Sequence, residues 1–168
     1  MCFAASIERE AEMDAIEMEK VFREKFPDAV FQPDTTGQAG VRWSIVVPLS
    51  AIRNAAMLLD GAGYFLETLT GLDFEDTLEL VYHFNQYAPR SRVAVRVPCG
   101  HDQSPDSIYD IFSAAGWLER EVHEFFGVEF KGNPDLRPLL LPEDTDSHPL
   151  RKSFGKAVVY HKRESIYG

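Results

Sequence analysis

One short run begins like a metal-dependent hydrolase. His123-Glu124-Phe125-Phe126-Gly127 opens as H-E-x-x-H does, where two histidines one helical turn apart share a zinc ion, but Gly127 occupies the second histidine's place. Glu119 and His123, four residues apart, could still offer a carboxylate and an imidazole to a metal from one helix face. Arg120 and Glu124 at the same step fit plain ion pairing on a helix surface. With His148 further along, a small metal-dependent hydrolase using Glu119, His123 and His148 is one reading that the residues leave open. Gly61-Ala62-Gly63 starts like a dinucleotide fingerprint, yet Leu66 stands where the third glycine belongs, and the glycines follow a helix-like stretch, so they read as a helix stop and turn. Neither a phosphate-binding G-x-x-x-x-G-K-[ST] nor a G-x-S-x-G elbow occurs. Cys2 and Cys99 are too few for an iron–sulfur cluster or a structural zinc site, and a disulfide between them is disfavoured in a reducing compartment. His83 reads as a half-buried structural residue on a strand, and Asp144 and Asp146 as part of a solvated turn. No nucleophile, base and electrostatic stabiliser assemble, so this chain alone is not expected to perform covalent chemistry.

Whatever the chain does must rest on elements that 168 residues can build, which is enough for one domain with a real core. A composition 45% hydrophobic and 26% charged excludes a collagen-like or mainly disordered chain. The net charge of -10 argues against nucleic acid as a partner, because phosphate binding needs concentrated Lys and Arg. No apolar stretch approaches the roughly 20 residues of a membrane-spanning helix. The start, Met1-Cys2-Phe3-Ala4-Ala5-Ser6-Ile7, lacks a basic region and reaches Glu8 at once, so an unprocessed, soluble, intracellular protein is expected. Charge is uneven: Arg151, Lys152, Lys156, Lys162 and Arg163 face only Glu164 near the end. Such a basic end is either a solvated tail or a strap lying on an acidic neighbour.

Periodicity predicts a helix over Ile7 to Phe26, strands over Ala29–Gln32 and Val41–Val47, and a helix over Ala51–Asp60 with Ser50 as its N-cap. Three more strands are expected at Tyr64–Thr70, Leu78–Phe84 and Arg92–Val97; in the last, Val93, Val95 and Val97 share one face. Close spacing favours antiparallel pairing. A helical pattern then runs from Ser104 to Phe125, with Gly116 a candidate break and Gly127 a natural C-cap. Beyond it Pro134, Pro138, Pro142 and Pro149 forbid long regular structure. The predicted fold is α+β: a two-layer domain over residues 1–127, with a mixed, mostly antiparallel sheet of about five strands on helices. An irregular proline-rich extension over 128–168 is expected to pack on that domain and on a partner.

Glu119-Arg120-Glu121 places two carboxylates around a guanidinium, and Arg137, Arg151 and Lys152 follow in the irregular run. Either these charges are solvated, or Glu119 and Glu121 pin the extension through bidentate pairing with Arg137 or Arg151; pinning is the favoured reading.

These residues carry a resemblance. Trp117-Leu118-Glu119-Arg120-Glu121-Val122-His123-Glu124-Phe125-Phe126-Gly127-Val128 resembles the E-R-E-x-x-[DE]-hydrophobic-F-G core of the 30 kDa subunit of respiratory complex I, the C subunit of the bacterial enzymes. The likeness continues through Gly132-Asn133-Pro134-Asp135-Leu136-Arg137, Leu141-Pro142-Glu143-Asp144 and His148-Pro149-Leu150-Arg151-Lys152. Upstream, Thr70-Gly71-Leu72-Asp73 and Leu80-Val81-Tyr82-His83 add to it. The chain departs from the family's usual residues at Asn133, Glu124 and Pro138. The resemblance implies a non-catalytic structural subunit in the peripheral arm of an NADH:quinone oxidoreductase-type translocase, on the cytoplasmic face of the membrane. It implies no catalytic, cofactor or metal site on this chain; iron–sulfur clusters and the donor cofactor would lie on partners. The implied partner is the 49 kDa-type (D-like) chain, with Glu119, Arg120, Glu121, Phe126, Gly127, Pro134, Asp135, Arg137, His148, Pro149, Arg151 and Lys152 forming or supporting the interface. Related subunits serve hydrogenases, formate hydrogenlyase and F420 dehydrogenases, so the donor stays open among NADH, F420, ferredoxin, formate and hydrogen.

Overall fold

A computed structural model of the chain describes residues 15–33, 40–74, 77–88 and 90–155. The elements in order are α1 (Ala15–Lys25), β1 (Val30–Pro33), β2 (Trp43–Val46), a 3-10 turn (Leu49–Ala51), α2 (Ile52–Gly61), β3 (Phe65–Asp73), β4 (Leu78–Gln86), β5 (Ser91–Cys99) and α3 (Ala115–Phe126). The strands form one sheet in the order β1-β2-β5-β4-β3. Among the described strands only β2 and β5 pair in parallel; β3, β4 and β5 form the antiparallel meander expected from their short connections.

Strand alternation builds the core. Val93, Val95 and Val97 are fully buried, and their register neighbours Trp43, Ile45, Leu80, Tyr82 and Phe84 are buried with them. Met18 and Phe22 of α1, Ile52, Ala55, Ala56 and Leu59 of α2, and Ala115, Val122 and Phe126 of α3 join the same cluster. These spacings of three and four residues give each helix one apolar stripe. The other face of the sheet carries ion pairs between Arg92 and Glu67 and between Arg96 and Glu79, each at 2.7 Å. The result is the expected two-layer α+β arrangement.

Three local expectations need correction. Ser50 does not cap α2: it lies inside the 3-10 turn, and the α-helix starts from Ala51 without a side-chain cap. The helix expected from Ser104 begins only at Ala115. Asp106 instead forms a parallel bridge with Lys131, and backbone bonds Ser107 N to Lys131 O and Lys131 N to Pro105 O, both 2.8 Å, hold the two segments together. The Ile108 amide, which would close the first turn of a helix capped at Ser104, is taken by the Glu119 carboxylate at 2.9 Å, and Ile108 and Phe112 reach the core from turns. β3 also runs past its expected end, through Gly71 to Asp73. The start of the first expected helix, before residue 15, lies outside the described residues, as does the end of the chain after residue 155.

Residues 128–155 form an irregular strap along α3, as the prolines require.

Candidate functional site

The strap and α3 are joined largely by polar and charged side chains, each of which finds a partner on the other segment. Glu119 is completely buried. Its carboxylate accepts from Ser107 Oγ at 2.6 Å, Ile108 N at 2.9 Å and Asn133 Nδ2 at 2.8 Å. Burial raises its pKa above the ordinary carboxylate value, while these donors pull the other way. Further along the helix, Glu124 turns inward and accepts three successive backbone amides, Leu139 at 2.7 Å, Leu140 at 3.0 Å and Leu141 at 3.2 Å. Successive N–H groups aimed at one point make an anion nest, and Glu124 fills it.

Arg120 lies between them and does not pair with Glu124. Its guanidinium donates to the carbonyls of Arg137 and of Pro138, the latter at 2.7 Å, approaches Asp135 at 3.4 Å and lies 5.6 Å from the ring centre of Trp117. Asp135 is gripped by Arg137, Nε at 2.9 Å and Nη2 at 2.8 Å, and by the Arg137 amide. Those bonds hold its carboxyl well below the usual range.

The last turn of α3 would ordinarily leave carbonyls without partners. Here the strap supplies them: His148 Nδ1 donates to Glu124 O at 2.9 Å, Leu150 N to Phe125 O at 3.2 Å and Arg151 Nε to Phe126 O at 2.5 Å. A cation at a helix C-terminus also meets the favourable end of the dipole. Gly127 ends the helix at φ 70°, and a Cβ there would lie 2.5 Å from His148 Nε2. His123 is occupied elsewhere, its Nδ1 against Val128 O at 2.9 Å.

Glu119 and Glu121 therefore do not pin the strap through Arg137 or Arg151. Glu119 uses neutral donors because it is buried; Glu121 is exposed and makes no side-chain bond among the described residues; Arg137 pairs with its neighbour Asp135. Phe126 is buried against β3, Pro134 and Lys152 are exposed, and Pro149 sits in the turn closed by Arg151 N to His148 O at 3.1 Å. Glu119, His123 and His148 do not converge, and among the described residues no three His, Cys, Asp or Glu side chains are placed to share a metal. Sequence reading missed the roles of Ser107 and Asn133. The raw signal for Asn133 was its place in the motif; for Ser107 nothing beyond a polar residue before an apolar run marked it.

Around this clamp several large apolar side chains stand outward among charged ones. Tyr109, Trp117, Leu140, Leu150 and Phe154 are exposed, and so is Phe74 at the end of β3. Large exposed apolar side chains, where they form a contiguous patch, mark interaction surfaces.

The sequence profile described as the respiratory-chain NADH dehydrogenase 30 kDa subunit matches residues 45–158. The chain is similar to the C subunit of NADH-quinone oxidoreductase from Chloroherpeton thalassium, 31% identical over 155 residues, covering 84% of this chain and 61% of that protein. It is also similar to the C subunit from Roseiflexus sp., 40% identical over 92 residues, covering 52% and 53%. It thus spans less than two thirds of the length of these relatives. Among solved structures it resembles a chain of an archaeal respiratory membrane complex, the membrane-bound sulfane sulfur reductase, with TM-score 0.71 and 28% identity over 84% of this chain and 85% of that one. It also resembles the trypsin-resistant fragment (1–134) of Nqo5, with TM-score 0.61 and 25% identity over 71% and 98%. By these matches the chain belongs to the family of the respiratory-chain NADH dehydrogenase 30 kDa subunit.

Proposed function

We propose that this chain is a non-catalytic structural subunit of the peripheral arm of a complex I-like, quinone-reducing oxidoreductase, and that it docks on the 49 kDa-type subunit through the strap side of α3. One observation carries the reading: the motif residues Glu119, Arg120, Glu124, His148 and Arg151 hold the strap against α3, so that Leu140, Leu150 and Trp117 stand outward. Buried polar groups fix the shape of the surface, and apolar and Arg side chains supply its contacts. The partner is suggested by a relative named as a C/D subunit of NADH-quinone oxidoreductase, from Phocaeicola vulgatus, 36% identical over 97 residues that make up only 19% of that protein. Electron carriers would then reside on partners, iron–sulfur clusters among them, and ion translocation would be a property of the whole complex.

No helix among the described residues is long and apolar enough to cross a membrane. Membrane association on the cytoplasmic face would therefore run through partners. A second reading rests on the likeness to the sulfane sulfur reductase chain, which covers more of this chain than the Nqo5 fragment does. In that reading the complex draws electrons from a donor other than NADH. Affinity purification of the tagged chain from mildly solubilised membranes of its own source, with identification of the retained chains, tests both. A 49 kDa-type chain at equal stoichiometry supports docking, accompanying NADH-binding chains select the first reading, and a chain recovered alone overturns both.

A further inference from the structure

We propose that Asp73 is a two-sided latch that couples the loop after β5 to the far end of the strap, separately from the Glu124 nest on α3. Three segments meet at this carboxylate: the end of β3, His101 in the loop following β5, and Lys152 in the strap. One oxygen, Oδ1, lies 2.7 Å from His101 Nε2, and the other, Oδ2, accepts the Lys152 backbone amide at 2.6 Å. The Asp73 side chain is only 6% exposed, so its carboxylate depends on these partners rather than on water.

The surroundings fit a latch. Arg151 adds its charge from the strap, and Lys152 Nζ lies 5.8 Å from the ring centre of Phe74, the residue after Asp73. The His101 loop is itself a compact turn, closed by Gln103 N to Gly100 O at 2.9 Å and Gly100 N to Gln103 Oε1 at 2.8 Å. The loop can therefore hold His101 in place, and His101 in turn fixes Asp73 to receive the strap. Because the two donors share one carboxylate, loss of either weakens the setting of the other. Among the described residues His101 bonds Asp73 rather than the strap, and it is a positioning residue for the strap.

The test uses the full 168-residue chain. Hydrogen exchange is followed at the Lys152 amide, held by Asp73, and at the Leu139 amide, held by Glu124. Trypsin cleavage at the Arg151–Lys152 bond gives a second readout, since cleavage requires local opening. In His101→Ala the Lys152 amide is expected to exchange about tenfold faster and cleavage to rise in step, the scale of one hydrogen bond to a charged group, with Leu139 unchanged. His101→Gln, which keeps a donor, is expected to restore much of the protection. Asp73→Asn is expected to match or exceed the loss in His101→Ala. Unchanged Lys152 exchange in His101→Ala, or equal loosening of Leu139 in His101→Ala, overturns the proposal.

Discussion

Gly71 of β3 lies flat against the ring of Phe126 of α3, with no room for a methyl group between them: a Cβ at Gly71 would stand 2.7 Å from both Cδ2 and Cε2 of the ring. This contact brings the last turn of α3, and with it the strap, down onto the edge strand of the sheet. Gly71→Ala is expected to overpack the site and cost about 1–3 kcal/mol in urea unfolding. Adding Phe126→Leu is expected to recover part of that loss, because the ring is the obstruction. Equal stability of Gly71→Ala and the native chain would contradict the packing.

Gly127 carries two constraints at once, a φ of 70° and the imidazole of His148 beside it. Gly127→Ala is expected to cost about 2 kcal/mol or more, since the backbone strain and the crowding both apply. It should also free residues 148–152 for proteolysis while α1 and β1 stay protected.

Arg151 caps the end of α3 through Phe126 O at 2.5 Å and Gly127 O at 3.5 Å. Arg151→Ala is expected to raise the proteolytic cutting of the strap several-fold in a time course with chymotrypsin, which does not depend on the lost cationic site. Unaltered cutting would mean that His148 and Leu150 suffice.

The α+β class, all five strands, the glycine stop of α3 and the irregular strap were legible because each rests on local pattern: alternation, punctuation, and proline's missing donor. The clamp was not. Glu119 and Glu124 are charged residues on a helix, which local pattern assigns to the surface, and only Ser107 and Ile108 together with the folding back of residues 131–141 supply donors that let them be buried. Residues 104–114 were misread for a related reason. Their apolar spacing is helical, but their backbone partner is Lys131, a non-local strand-like pairing that no window of neighbours contains. The ordering of Asp73, His101 and Lys152 at one point likewise depends on chain segments far apart in sequence.

Glu119 and Asp73 should respond to acid in opposite senses. Burial raises the Glu119 pKa, so the folded chain binds this proton more readily than the unfolded one; its contribution to stability increases as pH falls from the raised folded value toward about 4.3. For Asp73, burial pushes the pKa up, but the bond from His101, the Lys152 amide and the charges of His101 and Arg151 outweigh it and leave it depressed. Its contribution is complete above about 3.9 and is lost as pH falls through the lower folded value. In urea unfolding over a pH series, Glu119→Gln is expected to abolish the gain on mild acidification, and Asp73→Asn the loss at stronger acid. Profiles parallel to the native one would contradict these assignments.

Docking on a partner through the strap side of α3 is tested most directly by altering the outward residues alone. Leu140 and Leu150 are exposed, and their backbone amides, not their side chains, hold the clamp. Leu140→Asp with Leu150→Asp should leave urea stability within about 1 kcal/mol of the native chain, as surface substitutions do. The measurement is retention of the 49 kDa-type subunit by the tagged chain in gentle membrane extracts: native chain retaining it and the double variant losing it is the expected result. Undiminished retention by the double variant would contradict docking at this face.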